Sequence, residues 1–130
     1  MKEASLELLA SRADVWAFLA EPYHLPDWWP GMTGVVPDRR GLSPGARWSV
    51  ISSKHNILAG RRPHETMLLV RDVEPYERLS FHILSPKLDA EVRLRTTASD
   101  RTLVTVRSSR GRAEHAVRRL YDLVQTAAEL

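Results

Sequence analysis

The chain has 130 residues, 43% of them hydrophobic and 27% charged, which is ordinary for one globular domain. It has no cysteine, which excludes a disulfide framework and thiolate chemistry, and no apolar run approaches the roughly 18 residues of a membrane span. The formal charge of +3 comes from arginines interleaved with acids, and this favours a solvated basic surface over a nucleic-acid partner.

The N-terminal part predicts a short strand followed by two short helices. MKEASLELLAS carries glutamates where a signal peptide needs an apolar core, so we expect a cytoplasmic protein, and ASLELLAS alternates like a strand. Ser11 opens an S-x-x-D capping pattern that predicts a helix over residues 12–20. The stretch PYHLPDWW predicts one or two further helical turns, which Pro30 ends.

From residue 33 the pattern changes to period two and predicts six strands with turn-rich connections. The strands are TGVVPD, ARWSVISS, ETMLLVRDVEP, ERLSFHIL, KLDAEVRLRTTA and RTLVTVRSS. In LDAEVRLRT every second residue is apolar and those between are charged, so one face is buried and one is wet. By this parity the inward residues are Trp48, Val50, Ser52, Leu68, Val70, Leu79, Phe81, Ile83, Leu88, Ala90, Val92, Leu94, Val104 and Val106.

The last segment predicts a long amphipathic helix from residue 113 to the C terminus. At about 100° per residue its apolar face holds Ala116, Val117, Leu120, Tyr121, Leu123, Val124, Ala127, Ala128 and Leu130. The order of elements predicts one α+β domain over residues 1–130, in which a curved antiparallel sheet of about seven strands wraps around this C-terminal helix.

Two stretches of the chain resemble a known superfamily. ADVWAFLAEPYHLPDWWPGM resembles the N-terminal signature of the START/SRPBCC helix-grip domains, and VRDVEPYERLSF is similar to their strand-turn-strand V-x-x-V-x-P-x-x-R-L. The final helix agrees in place and length, so the resemblance covers essentially the whole chain. It points to the polyketide cyclase/dehydrase-like branch and to the fold of the birch-pollen allergen. It implies a groove beneath the long helix, capped by the two short helices, with Trp28 and Trp29 near its rim.

We therefore expect the chain to bind a small hydrophobic or aromatic molecule, lipid- or polyketide-like, between sheet and helix. Many inward residues are small or medium, which leaves room for a cavity, and the hydroxyls of Ser52 and Tyr121 could orient a ligand. The alternative is that the tryptophans fill this gap as core. The predicted ligand-binding residues are Trp28, Trp29, Trp48, Val50, Ser52, Leu68, Val70, Phe81, Ile83, Val92, Leu94, Val104, Leu120, Tyr121 and Val124.

Two other functions stay open, because the superfamily hosts carriers, receptors, cyclases and co-chaperones on one scaffold. A cyclase- or aromatase-like enzyme acting on a polyketide-type substrate would need an acid–base group. The candidates are His24, His55, Asp27 and Asp72, and each can equally be a solvated surface residue. A co-chaperone-like interaction module would use the groove or the outer helix face with Arg118 and Arg119. A homodimer is also left open.

Other chemistry has little support in the sequence. GLSPG, residues 41–45, matches the G-x-S-x-G nucleophile elbow, but Pro44 lacks the backbone N–H that the oxyanion hole needs, so we interpret it as a turn. The five histidines have no metal-site spacing, and His82 points outward by parity. No phosphate-binding glycine-rich loop is present, so we expect no cofactor and no metal.

Overall fold

The computed structural model describes the backbone of residues 1–56 and 60–129 and the side chains of residues 1–52 and 64–125. Its strands and helices follow the predicted order. They are β1 (Lys2–Leu8), α1 (Arg12–Ala20), a 3-10 turn (Pro22–His24), α2 (Leu25–Trp28), β2 (Met32–Val36), β3 (Arg47–Asn56), β4 (Gly60–Glu74), β5 (Arg78–Ile83), β6 (Leu88–Ala98), β7 (Arg101–Ser108) and α3 (Ala113–Glu129).

The seven strands form one antiparallel sheet in the order β1-β7-β6-β5-β4-β3-β2, which confirms the predicted helix-grip fold. Each strand from β2 to β7 pairs with its neighbour in sequence, and β1 joins the free edge of β7. The register places Leu68 opposite Ile83 and Val70 opposite Phe81, and all four side chains are buried. Arg71, which follows Val70 and has the opposite parity, is exposed, so the face of β4 that is buried is the one that the alternation predicts.

Helix α1 begins where the capping pattern predicts. The N-cap Ser11 accepts a hydrogen bond from the Asp14 N–H through its hydroxyl oxygen at 3.2 Å. Val15 and Leu19 are buried as expected, and Trp16 is buried as well, with its ring centroid 6.3 Å from that of Tyr76. The helix is therefore held on two sides, by the sheet and by the β4–β5 turn.

Helix α3 packs mainly on β1 and β7 and also contacts α1 and α2. Its buried side chains are Ala113, Ala116, Val117, Leu120 and Val124. The prediction that Leu123 belongs to this face is wrong, because Leu123 lies about 80° from the centre of the buried stripe and is 36% exposed. In the part of the chain that the structure describes, no helix is long and apolar enough to cross a membrane.

The GLSPG stretch is a turn, as its proline requires. The Ser43 hydroxyl donates a hydrogen bond to the Arg40 carbonyl at 2.6 Å, so it is committed to the turn. The Asp38 carboxylate accepts the backbone N–H groups of Arg47 and Arg40, each at 2.9 Å. These bonds, with that of Arg47 the strongest, hold the pKa of Asp38 below its ordinary value. The connection between β2 and β3 is thus closed on itself.

His82 lies on the outward face of the sheet, as parity predicts, and yet it is buried, with 8% of its surface exposed. Its Nδ1 lies 2.8 Å from Oδ1 of Asp89, which is its cross-strand partner on β6. Without this carboxylate the buried ring nitrogen would have no hydrogen-bond partner. We therefore interpret His82 as a structural residue of the outer sheet face.

Candidate functional site

Three aromatic rings fill the space between α2 and the middle of the sheet. Trp28 and Trp29 are each 2% exposed, and Phe81 on β5 is 4% exposed. The ring centroids lie 5.8 Å apart for the two tryptophans, 5.3 Å for Trp29 and Phe81, and 6.4 Å for Trp28 and Phe81. All three contacts are edge-to-face, an arrangement in which the positive ring edge meets the negative ring face. We call these three residues the aromatic plug.

Behind the plug almost no free space remains. The void between α1, α2 and the central strands measures about 10 Å³, roughly the smallest volume that holds one water. Trp48 forms part of its wall, and its indole N–H donates to the Gly41 carbonyl at 2.9 Å. The centre of the groove is therefore filled, so the interpretation of the tryptophans as core holds for Trp28.

A real cavity of about 180 Å³ opens on the other side of Trp29, and we call it the Trp29 cavity. It lies between the α2–β2 connection, the middle of β3 and of β4, the end of β5 and the β5–β6 connection. Its described lining residues are Trp29, Pro30, Gly31, Met32, Val50, Ile51, Ser52, Thr66, Ile83, Ser85, Pro86, Leu88 and Arg112. Most of this wall is apolar. The indole ring of Trp29 forms one side of it, and the contacts of this ring with Trp28 and Phe81 hold it in place.

Besides the indole N–H of Trp29, the polar side-chain groups of this lining are the hydroxyls of Ser52, Thr66 and Ser85 and the guanidinium of Arg112. Thr66 accepts the Ser85 N–H at 3.0 Å through Oγ1, which ties β4 to the β5–β6 connection. Arg112, directly before α3, donates from Nη1 to the Pro30 carbonyl at 2.9 Å. Among the described lining residues Arg112 is the one that carries a formal charge. An apolar pocket with a few convergent polar groups is the usual form of a small-molecule site.

Gly31 brings the arginine and the α2–β2 connection together. Its backbone has φ = +84°, in the left-handed region, and a Cβ at this position would lie 2.7 Å from Nη1 of Arg112. A side chain here would therefore strain the backbone and push the guanidinium away from the Pro30 carbonyl. Glycine allows the close approach that closes this corner of the cavity.

Gly31→Ala is accordingly expected to lower the free energy of unfolding by about 1–2 kcal/mol, because a residue with a Cβ pays this cost in the left-handed region. Gly34→Ala is the matched control. A Cβ at Gly34 meets only Ile51 at ordinary contact distance, 3.6 Å, so its stability should change little. Chemical denaturation of both variants measures the difference, and equal effects would contradict the role given to Gly31.

The predicted ligand-binding residues separate into three groups. Those that line the Trp29 cavity are Trp29, Val50, Ser52 and Ile83. Those that border the 10 Å³ void are Trp28, Trp48, Leu68, Val70 and Phe81. Those that line neither space are Val92, Leu94, Val104, Leu120, Tyr121 and Val124. The three α3 residues of the last group lie away from the cavity because α3 packs on β1 and β7. Arg112, directly before α3, is the one described residue from position 109 onwards that reaches the lining.

The acid–base candidates lie away from the Trp29 cavity where the structure describes them. His24 stacks on the Phe18 ring at 4.2 Å, and its Nδ1 donates to the Phe18 carbonyl at 2.8 Å, so it is a packing residue. Asp27 is exposed on α2, and the Asp72 carboxylate accepts the Ser80 hydroxyl at 3.2 Å on an exposed strand. His55 lies in β3, and its side chain is outside the described residues.

Sequence reasoning missed most of the cavity wall. The missed residues are Pro30, Gly31, Met32, Ile51, Thr66, Ser85, Pro86, Leu88 as a ligand contact, and Arg112. His64 was also passed over, although its Nε2 donates to the carbonyl of the lining residue Ser85 at 3.0 Å. The parity of Leu68 and Val70, extended backwards along β4, would have placed Thr66 and His64 on the inner face.

A second and larger depression, of about 530 Å³, lies at the opposite end of the sheet. Its lining is mostly charged and exposed: Arg12, Glu74, Glu77, Arg78, Arg93, Leu94, Arg95 and Thr96. Charges pair within it, as in the 2.9 Å contact between Arg78 and Glu74. The outer face of α3 likewise exposes Arg118 and Arg119, the residues of the interaction hypothesis. Neither surface offers the apolar enclosure of the Trp29 cavity.

Solved structures with the same fold include two groups of small-molecule enzymes. The di-domain aromatase/cyclase StfQ of the steffimycin biosynthetic pathway is 16% identical, with a TM-score of 0.70, over 99% of this chain and 44% of StfQ. Norcoclaurine synthase from Thalictrum flavum, in complex with dopamine and hydroxybenzaldehyde, is 17% identical with a TM-score of 0.67, over 96% of this chain and 86% of that one. A Deinococcus radiodurans protein is 16% identical with a TM-score of 0.68, over 98% and 93%.

These likenesses show the fold, and no functionally curated protein matches the sequence significantly. The assignment to a family comes from a family model that matches residues 9–127, nearly the whole chain. Together with the shared fold of the structural neighbours it confirms the resemblance to the START/SRPBCC superfamily. The chain belongs to the family of Activator of Hsp90 ATPase homolog 1-like proteins.

Proposed function

We propose that this protein binds a small apolar molecule about the size of one aromatic ring in the Trp29 cavity. Its family and fold support the binding of a hydrophobic ligand in general terms. The observation that carries the finer proposal is the 180 Å³ space with apolar walls and a few hydroxyls beside a fixed tryptophan ring. Trp29 is held edge-on by Phe81 and Trp28, so it offers a preorganised surface for a ligand.

The volume selects the size of the ligand. A cavity of about 150 Å³ accommodates benzene, whereas pockets for drug-sized molecules span roughly 300–1,000 Å³. At 180 Å³ the cavity has room for one substituted ring, and a fatty acid or a multi-ring polyketide exceeds it. The complex of norcoclaurine synthase with dopamine and hydroxybenzaldehyde, which are both single-ring compounds, supports this size class on the same fold.

Binding rather than turnover is the role that the lining favours. Its described side chains are apolar groups, the hydroxyls of Ser52, Thr66 and Ser85, and the guanidinium of Arg112. A guanidinium stays protonated in proteins, so it can orient or neutralise a ligand but does not exchange protons as a general base would. A ligand of this size should bind with a Kd on the order of 10 μM to 1 mM.

The direct test is to block the cavity from one strand. Ser52 faces it from β3 and is half-buried, and its replacement by phenylalanine puts a ring into the space while keeping a residue that strands accept. We expect the wild-type protein to bind benzyl alcohol, phenol or benzoate saturably in titration calorimetry. The Ser52→Phe variant should bind the same compound at least tenfold more weakly.

Ser49→Phe is the matched control, because Ser49 lies on the same strand but on the opposite face, where its hydroxyl donates to Glu65 at 2.7 Å. Its affinity should equal that of the wild type. The melting temperature of each unliganded variant reports whether it is folded. Saturable binding that survives unchanged in Ser52→Phe would refute the proposal. So would the absence of binding of every single-ring compound at about 10 mM, tenfold above the upper end of the expected Kd range.

A further inference from the structure

We infer that the ligand of the Trp29 cavity is an anion, a single aromatic ring that carries a carboxylate, and that Arg112 pairs with this carboxylate. The inference rests on the proposed function, since it names the chemistry of a ligand in the same site. It starts from charge: among the described residues that line the cavity, Arg112 is cationic and none is acidic. Arg112 is an exposed residue that lines the cavity at its solvent side, where a carboxylate on the ligand would pair with it and an uncharged ligand would not.

One nitrogen of the guanidinium is anchored to the backbone, although Arg112 as a whole is exposed. Nη1 donates to the Pro30 carbonyl at 2.9 Å, and the missing side chain of Gly31 leaves room for it against the backbone. A guanidinium has five N–H donors in one plane, and this bond uses one of them. Donors remain for a ligand, and the anchored plane matches the planar, two-oxygen geometry of a carboxylate.

The surroundings favour an aromatic carboxylate over other anions. The apolar part of the lining, with Trp29, Met32, Val50 and Ile83, suits a ring, and a polyphosphate or a free inorganic anion would gain nothing from it. The hydroxyls of Ser52, Thr66 and Ser85 belong to the same lining and supply donors for a polar substituent. Because Arg112 is exposed, the strength of the pair would come from the two parallel N–H···O bonds of a guanidinium with a carboxylate and not from desolvation.

The experiment compares benzoate with two neutral analogues of the same ring, benzamide and benzyl alcohol, by titration calorimetry. We expect the wild-type protein to bind benzoate at least tenfold more tightly than either analogue. Arg112→Gln should weaken benzoate binding by about tenfold or more and leave the affinity for the neutral analogues unchanged. Arg112→Lys keeps the charge but loses the planar guanidinium, so its affinity for benzoate should lie between those of the wild type and Arg112→Gln.

Arg119→Gln is the matched control, because Arg119 is exposed on the outer face of α3 and its removal changes the net charge by the same amount. It should leave benzoate affinity unchanged, and higher salt should weaken benzoate binding in the wild type more than in Arg112→Gln. Arg112→Gln also removes the bond to Pro30, so the melting temperature of the unliganded variant reports whether its fold is intact. Arg112→Lys provides a second variant if Arg112→Gln does not fold.

The outcomes distinguish this inference from the proposed function. If the neutral analogues bind as tightly as benzoate and Ser52→Phe blocks them all, the inference is overturned and the proposed function stands. If benzoate binds equally to wild type, Arg112→Gln and Arg119→Gln, the inference is likewise overturned. If no single-ring compound binds, both fail. Selective loss of benzoate binding in Arg112→Gln supports both.

Discussion

Trp28→Ala is expected to lower the free energy of unfolding by about 3–5 kcal/mol, the usual cost of truncating a large buried aromatic residue to alanine. Trp28 is 2% exposed and meets both Trp29 and Phe81 edge-to-face. Because almost no void exists behind it, its loss leaves a cavity that the central strands cannot close. Urea denaturation followed by far-UV circular dichroism measures the change.

Two variants bracket this result. Tyr23→Ala removes an aromatic side chain five residues earlier, in the 3-10 turn before α2, but Tyr23 is 64% exposed, so its cost should stay within about 0.5 kcal/mol. Trp28→Phe keeps a ring in the plug and should lose clearly less stability than Trp28→Ala. A loss below about 1 kcal/mol in Trp28→Ala would mean that the plug is not a structural core.

The fold could be predicted because its signals are local. Alternation along LDAEVRLRT fixes which face of β6 is buried, and its cross-strand partners repeat the same parity, so one register satisfies all strands. The last helix separates its polar and apolar halves over the whole segment. Periodicity of this kind needs no knowledge of distant residues.

The filling of the groove could not be predicted, because it depends on where large side chains meet in three dimensions. Parity places Phe81 on the inner face, but only the packed structure shows that the rings of Trp28 and Trp29 meet it there. The same residues could have left an open groove under α3. The plug instead confines free space to the far side of Trp29, where Leu120, Tyr121 and Val124 do not reach.

The polar part of the cavity was hidden for a second reason. Arg112 and Pro30 are 82 positions apart in the chain and are joined by one hydrogen bond. Arg112 falls at the polar boundary of the helical wheel, where an arginine is indistinguishable from any solvated surface residue. Thr66 was within reach of sequence reasoning, since it continues the inward parity of Leu68 and Val70. A lone threonine on an inward face has no sequence signal that separates a ligand contact from a hydroxyl bonded to backbone.

The placement of α3 on the sheet gives the other large expected effect. Leu120→Ala should lower the free energy of unfolding by about 2–5 kcal/mol, because Leu120 is 0% exposed at the centre of the face that packs on β1 and β7. Leu123→Ala makes the same chemical change one turn later, at a residue that is 36% exposed, and should cost less than about 1 kcal/mol. The pattern of the sequence alone assigns both leucines to one apolar face and so predicts similar costs. Urea denaturation of the two variants decides between these expectations, and equal losses would mean that α3 is rotated on the sheet, with Leu123 turned into the core.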